Sequence, residues 1–417
     1  MTKTRIMPPG HWDWSMKVKF SQGWRVGNLV FVGGQISSDA RGRTIGKGDI
    51  ATQTRNVFEH IKTVLHAAGA DLSDIVRLNT YYCQDADGPA VTEFWQEMTR
   101  VRMEYLANPG PSGTAVRVSG FAFEDLLIEI EAVAAIGPKT RLMPPNHWDW
   151  SMPTPFSQGW KVGNLIFVGG QISADAHGRT IGKDDIATQT RNVFESIRRV
   201  LQEAGGDLSD IVKLNTYYCH RGEGAEATRF QEAMAKVHRE YLADPGPVGT
   251  AVRVEGFAYE GLLIEIEAIA AIGPKTRLMP KDHWDWSMPT PFSQGWKVDN
   301  LIFLGGQISA DAHGQTVGRG DVAAQTNNVF RFMKSVLAEG GASMADLVKL
   351  NTYYRFAGEG RAVTDFWEAM TKVRMSHIAD PGPAATAVRV AGLGFDDLLI
   401  EIEGIAAIET QPTKSKP

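Results

Sequence analysis

Three glutamates and three arginines recur along this chain at one spacing. Glu129, Glu265 and Glu401 lie 136 residues apart, and so do Arg117, Arg253 and Arg389. A carboxyl can orient and deprotonate a water, or pass a proton to a departing nitrogen. A guanidinium grips an anionic group through paired hydrogen bonds. In Ile128-Glu129-Ile130-Glu131 the period of two marks a strand with apolar and acidic faces. The segment 114–119 also has strand character. Its alternation is read here with Val116 and Val118 facing the apolar layer and Ala115, Arg117 and Ser119 sharing the face of Glu129. Two readings are open for this polar face. It is either an acid–base carboxyl beside an anion-binding guanidinium, or an ion-pair network that neutralises buried charge.

Other candidates carry less. His11-Trp12-Asp13-Trp14 recurs in each copy, but one His-x-Asp pair supplies too few ligands for a closed metal site. Its tryptophans suit an irregular arm that is anchored on a neighbour or covers a cleft. Cys83 and Cys219 are equivalent, and Arg355 stands at the third position. No histidine accompanies them as a base, and free thiols in a reducing cytoplasm are expected. No P-loop, GxGxxG or zinc-finger spacing occurs, so neither a nucleotide nor a metal cofactor is implied.

The elements that position these residues come in triplicate. Trp12-Asp13-Trp14 returns at Trp148 and Trp284, and no insertion or deletion separates the copies. A unit of 136 residues exceeds a solenoid repeat and has the size of a small domain. Three domains follow, at residues 1–138, 139–274 and 275–417, with Gly137-Pro138-Lys139-Thr140-Arg141 as a linker. A ring with pseudo-threefold symmetry is the natural end point for such a fusion.

Within repeat 1 the apolar run 28–36 reads as a buried strand, with a further short strand expected near 22–26. Asp49 caps a helix whose apolar residues recur at helical spacing until Gly69. A strand over 75–83, a second helix from Pro89 and strands at 114–119 and 126–135 complete the unit. This is an α+β layer in which two helices cover one face of a mixed β-sheet.

The hydrophobic content of 43% supplies a core for each copy, and the net charge of −5 is spread over both signs. No basic stripe favours nucleic acid. No apolar run is long enough to span a membrane, and the first residues lack the apolar core of a signal peptide, so a cytoplasmic location is expected.

Several segments resemble the Rid/YjgF family of reactive-intermediate deaminases. They are Phe20-Ser21-Gln22, the run from Val26 to Ile36 containing Gly33-Gly34-Gln35, Gln53-Thr54-Arg55-Asn56, the stretch from Gly69 to Val76, and Ile128-Glu129-Ile130-Glu131-Ala132. The resemblance implies three tandem chorismate-mutase-like domains forming a pseudo-threefold trimer in one chain, with sites in the clefts between repeats. It implies hydrolysis of a small carboxylate-bearing enamine or imine with release of ammonia, and a 2-aminomuconate-like compound is a candidate substrate. It also places a substrate near Phe20, Phe156 and Phe292, near Gly34-Gln35, Gly170-Gln171 and Gly306-Gln307, and near Thr114, Thr250 and Thr386, beside the late glutamates.

The chain departs from the family pattern at one decisive point. The position of the family's carboxylate-clamping arginine is Gly113, Gly249 and Ala385. That loss favours a second reading, a non-catalytic small-ligand-binding or regulatory protein. Repeat 3 also differs by Asp299 and Arg355, and the arm residues 17–19 of repeat 1 differ from Pro153-Thr154-Pro155 and Pro289-Thr290-Pro291. Drift after duplication accounts for such changes; the sharper alternative is that the clefts flanked by repeat 3 are no longer equivalent and bind ligand differently. The expected partners are a small carboxylate and no other chain, with further association of rings left open.

Overall fold

A computed structural model describes residues 2–14, 16–85, 88–286 and 290–409, so Pro289 of the arm comparison lies outside the described residues. Repeat 1 contains β1 (Lys3–Ile6), β2 (Gly23–Val26), β3 (Leu29–Ile36), α1 (Ile50–Ala67), β4 (Ile75–Tyr82), α2 (Pro89–Tyr105), β5 (Ser112–Arg117) and β6 (Ile128–Ala135). Repeat 2 contains β7 (Thr140–Leu142), β8 (Gly159–Val162), β9 (Leu165–Ile172), α3 (Ile186–Glu203), β10 (Ile211–Tyr218), α4 (Ala225–Tyr241), β11 (Val248–Arg253) and β12 (Ile264–Ala271). Repeat 3 contains β13 (Thr276–Leu278), β14 (Gly295–Val298), β15 (Leu301–Ile308), α5 (Val322–Glu339), β16 (Leu347–Tyr354), α6 (Arg361–His377), β17 (Ala384–Arg389) and β18 (Ile400–Ala407).

Each sheet has six strands in the order β1-β2-β3-β6-β4-β5 or its equivalent. Only the β4–β5 pair and its counterparts are parallel. Burial on both faces explains the continuous apolar sequence of β3. The register of β3 on β6 shifts between Val32 and Gln35, so a bulge falls on Gly33-Gly34. The first helix starts where expected, with the Asp49 carboxylate accepting from the Thr52 N–H at 3.0 Å. One expectation is corrected. The linker at Thr140 does not stay irregular but becomes the short edge strand β7, paired with β8. Three residues are too few for a readable alternation.

The three sheets surround a common axis, with the helices outside. Each helix layer packs on its own sheet, as Val57, Phe58, Ile61, Trp95 and Met98 do on Ile128 and Ile130. Two other apolar clusters draw residues from all three repeats. On the axis the hydroxyls of Tyr81, Tyr217 and Tyr353 form a triangle with sides of 3.2, 3.2 and 3.3 Å.

Beside them runs a ring of buried charge that always points from one repeat to the next. Arg77 pairs with Glu267, Lys213 with Glu403 and Lys349 with Glu131, the last two at 2.6 Å. Asn79 and Thr114 also donate to Glu267, Asn215 and Thr250 to Glu403, and Asn351 and Thr386 to Glu131. Every buried carboxylate of the ring thus has an opposite charge and two further donors, the condition under which a buried ion pair is tolerated. The ion-pair reading therefore applies to the second glutamate of each Ile-Glu-Ile-Glu strand.

Candidate active sites in the clefts between repeats

Glu129 lies one turn of the strand alternation from that ring and has a different environment. Its carboxyl folds over the bare Cα of Gly34 at the β3 bulge, in space that a Cβ at position 34 would fill. Glu265 and Glu401 lie over Gly170 and Gly306 in the same way. Each carboxyl accepts from a backbone N–H of the neighbouring repeat: Ala387 for Glu129, Ala115 for Glu265 and Ala251 for Glu401. The Ala115 contact measures 3.3 Å. Burial raises the pKa of Glu129 to about 8; nearby Glu131 adds to the rise and Lys349 opposes it. Burial, with Glu403 adding, raises Glu401 to about 8, and burial drives Glu265 well above its ordinary value. These carboxyls are proton donors at neutral pH. Glu131, by contrast, is held below the usual range, because Lys349 and its hydrogen bonds outweigh its burial.

The cavity at Glu129 lies between repeats 1 and 3. Repeat 1 contributes Trp12, Trp14, Phe20, Gly34 and Glu129, and repeat 3 contributes Trp367, Arg374, Ala385, Thr386 and Ala387. Four of the sequence-derived positions thus meet there: Phe20, Gly34, Glu129 and Thr386. Gln35 is placed differently. Its amide accepts from the Trp12 indole at 2.9 Å and donates to Gln22 and the Gly33 carbonyl, and Gln171 and Gln307 repeat this pattern. These buried amides fasten the tryptophan arm to the sheet. Thr386 turns its hydroxyl to Glu131 in the charge ring, as Thr114 does to Glu267, while the Thr114 hydroxyl also accepts from the Gly170 N–H at 3.1 Å.

The arginines of β5, β11 and β17 are not in these clefts. Val116 and Val118 pack into the axial cluster with the three tyrosines, and Ala115 lies against the helix layer. The facing read from the sequence is therefore reversed on this strand. The axial face of β5 is fully buried and its other face half-buried, so valines occur on the axial face and the apolar pattern alone cannot say which layer they meet. Arg117 lies at the strand end, where its N–H donates to Gly256 and its Nη2 to the Glu255 carbonyl at 2.7 Å. Arg253 and Arg389 bind the carbonyls of Ala391 and Ser119 likewise. Arg117 and Arg253 also line a polar hollow of about 500 Å³ with Cys219 and Glu255, apart from Glu129.

A different arginine enters the cleft. In repeat 1 the α2 side chain Arg102 brings its Nη2 to 3.4 Å from where a Cβ on Gly113 would stand. Arg374 of α6 occupies the equivalent place beside Ala385. Among the described residues Arg102 and Arg374 each donate to one backbone carbonyl, that of Pro155 at 3.4 Å and that of Lys19 at 3.3 Å. Their Nε atoms are buried without a hydrogen-bond partner. Burial lowers the pKa of both to about 10, which leaves them cationic at neutral pH. Above them Trp95 lies 5.0 Å from Trp150, and Trp367 lies 4.8 Å from Trp14, so the arm of one repeat stacks on the helix of another. The arm tryptophans are singled out from the sequence, whereas Arg102 and Arg374 are not. A signal was present: Trp95, Met98 and Arg102 follow i, i+3, i+7 spacing, which puts the arginine on the buried helix face.

Comparisons with known proteins agree with this architecture. A chorismatase crystal structure superposes on 80% of this chain and 93% of its own with a TM-score of 0.55 at 17% identity, a likeness of fold. A RutC family protein of Pyrococcus abyssi is 41% identical over 116 residues, covering 28% of this chain and 85% of its own length. A 2-iminobutanoate/2-iminopropanoate deaminase of Dermatophagoides farinae is 30% identical over 117 residues, with coverage of 28% and 85%. The family model described as Endoribonuclease L-PSP matches residues 14–136, 151–272 and 287–408. The chain therefore belongs to that family, the Rid/YjgF family, in three consecutive copies.

Proposed function

We propose that this protein is a hydrolytic deaminase of a small imine, or its enamine tautomer, that carries a carboxylate. One observation carries this reading. A buried glutamate and an arginine that forms no ion pair among the described residues line one cavity, and the arginine takes the place of the clamp that Gly113 and Ala385 lack. Burial favours the protonated glutamate and leaves the arginine cationic. Arg374 or Arg102 grips the substrate carboxylate. The glutamate protonates the imine nitrogen and is left as a carboxylate. It then takes a proton from water as the oxygen adds to the C=N carbon, giving a carbinolamine. Protonation of its amine and return of the hydroxyl proton to the glutamate break the C–N bond. Imine plus water thus become carbonyl compound plus ammonia, and the glutamate ends protonated as it began.

The fold needs no cofactor for this sequence of steps, and we place it in a cytoplasmic, single-chain ring without nucleic acid. Substrates to compare are 2-iminobutanoate, 2-iminopropanoate and 2-aminomuconate, the first two generated in the assay from amino acids. Ammonia release above the uncatalysed rate is expected with at least one. Carboxylate binding without acceleration of any would leave the ligand-binding reading in its place.

A further inference from the structure

The three clefts are built from different pairs of repeats, and one pair differs chemically. The cleft of Glu129 receives α6 with Trp367 and Arg374, and that of Glu265 receives α2 with Trp95 and Arg102. The cleft of Glu401 receives α4, where the same two positions are Gln231 and His238. Gln231 donates to the Tyr218 hydroxyl at 3.1 Å. His238 Nδ1 lies 3.0 Å from the Met234 carbonyl one helical turn back, and its ring meets Phe194 edge-on at 5.0 Å. Both side chains are thus engaged within their own repeat. At Gly249 no atom comes within 4 Å of a Cβ position, whereas at Gly113 the Arg102 guanidinium lies at contact distance, 3.4 to 3.9 Å from it.

We infer that the chain carries two carboxylate-binding clefts and a third that does not retain a carboxylate, with Arg102 and Arg374 as the specificity-determining residues. The inference deepens the proposed function and rests on it for the identity of the ligand group. Its basis is the cost of the arginines. Both guanidinium groups are half-buried, their Nε atoms are buried without a hydrogen-bond partner, and among the described residues each reaches one backbone carbonyl, an arrangement that costs stability. Among the described residues neither Arg102 nor Arg374 forms an ion pair. The cost is offset when an anion enters the cavity beside the guanidinium. In the third cleft nothing of this kind waits for an anion: the histidine is turned into the helix layer, and burial favours its neutral form. A homotrimer could not make this distinction, because its three clefts are identical by symmetry.

Equilibrium dialysis of the full chain with 2-oxobutanoate tests the inference, with uncharged 2-oxobutanamide as the control. Two molecules of 2-oxobutanoate per chain are expected. Arg102→Met and Arg374→Met should each leave one, and the double variant none. Melting temperatures of these variants should equal or exceed that of the parent, since a half-buried cation with an unsatisfied Nε has been removed. Gln231→Trp/His238→Arg should gain a third molecule. Three molecules bound by the parent, or two still bound by the folded double methionine variant, would overturn the inference. So would a folded Gln231→Trp/His238→Arg protein that stays at two. The amide should bind without regard to the arginines; dependence on them equal to that of the acid would also count against it. Two carboxylates bound with no imine hydrolysed would end the deaminase reading and leave this inference standing. Ammonia release with three equivalent carboxylates would do the reverse.

Discussion

The Glu129 carboxyl rests on the Cα of Gly34, in the volume that any other residue at position 34 would claim. The glycine is required by the approach of that carboxyl, since its φ is not in the left-handed region. Gly34→Ala should push the carboxyl out of line with the Ala387 N–H. With Gly170→Ala and Gly306→Ala added, ammonia release should fall by about 100-fold, the order of loss expected from a misplaced catalytic group. Circular dichroism should show the fold retained. Full activity in the folded triple variant would mean the carboxyl's position does not matter.

Replacing the acid itself separates chemistry from binding. Glu129→Gln/Glu265→Gln/Glu401→Gln should lower kcat by roughly 10²–10⁴-fold. Dialysis with 2-oxobutanoate should be little changed, because the arginines remain. The parent enzyme's kcat/KM should decline as pH rises through about 8, where Glu129 loses the proton in a cleft that holds its arginine. A triple glutamine variant with parental turnover would reduce these residues to packing.

The same carboxyls set a pH dependence of stability. Their folded pKa values lie above the unfolded value, so the folded state holds protons that the unfolded state gives up. Stability from Glu129 and Glu401 is complete below about 4.5, declines as pH rises from there to about 8, and stays at its minimum beyond; Glu265, raised well above its ordinary value, acts in the same sense. Glu131 works in the opposite sense, and its contribution is lost as pH falls below the ordinary glutamate range. Thermal melts between pH 5 and 8 should therefore drop by a few degrees, and the triple glutamine variant should flatten that slope. Parallel slopes for the two proteins would show that the carboxyls are not buried as protonated acids.

Much of this was legible in the sequence, for reasons that also mark the limits. The triplication, the α+β units and the position of the glutamate follow from exact spacing and from Ile-Glu-Ile-Glu alternation, where two polar residues define a face. The strand of Arg117 offered no such contrast, because Thr114, Val116 and Ala115 are all at home in a sheet buried on both sides. The arginine of the cleft lay in a helix with many charged residues. Its spacing from Trp95 and Met98 puts Arg102 on the buried face of that helix, but no local pattern encodes the inter-repeat contact that makes this face the wall of a cleft. The arm and strand-end differences of repeat 3 drew attention in the sequence, whereas Gln231 and His238, which stand in α4 of repeat 2 where the other repeats have tryptophan and arginine, did not.

Arg117 separates the two arginine positions experimentally. Its guanidinium joins repeats 1 and 2 through the Glu255 carbonyl. Arg117→Ala should cost about 1–3 kcal/mol of stability, as the loss of a buried charge-assisted hydrogen bond does. KM and carboxylate stoichiometry should stay at parental values. A rise in KM of tenfold or more without loss of stability would return Arg117 to the substrate-binding role first read from the sequence.

Closure of the ring within one chain gives the last prediction. Lys349 and Asn351 of repeat 3 reach back to Glu131 of repeat 1, so the third interface is made by residues more than 200 positions apart. If one chain suffices, light scattering should return a mass of 45.7 kDa, or a whole multiple where rings associate. Small-angle scattering of the single-chain species should give a radius of gyration of about 22 Å, the value for a compact body of this length. Lys349→Met should weaken the closing interface by about 3–5 kcal/mol, because it leaves the Glu131 charge buried and unpaired. Lys349→Met/Glu131→Met should recover most of that loss. An elongated particle in the parent protein, or a Lys349→Met variant as stable as the parent, would show that the first and third repeats do not close on each other.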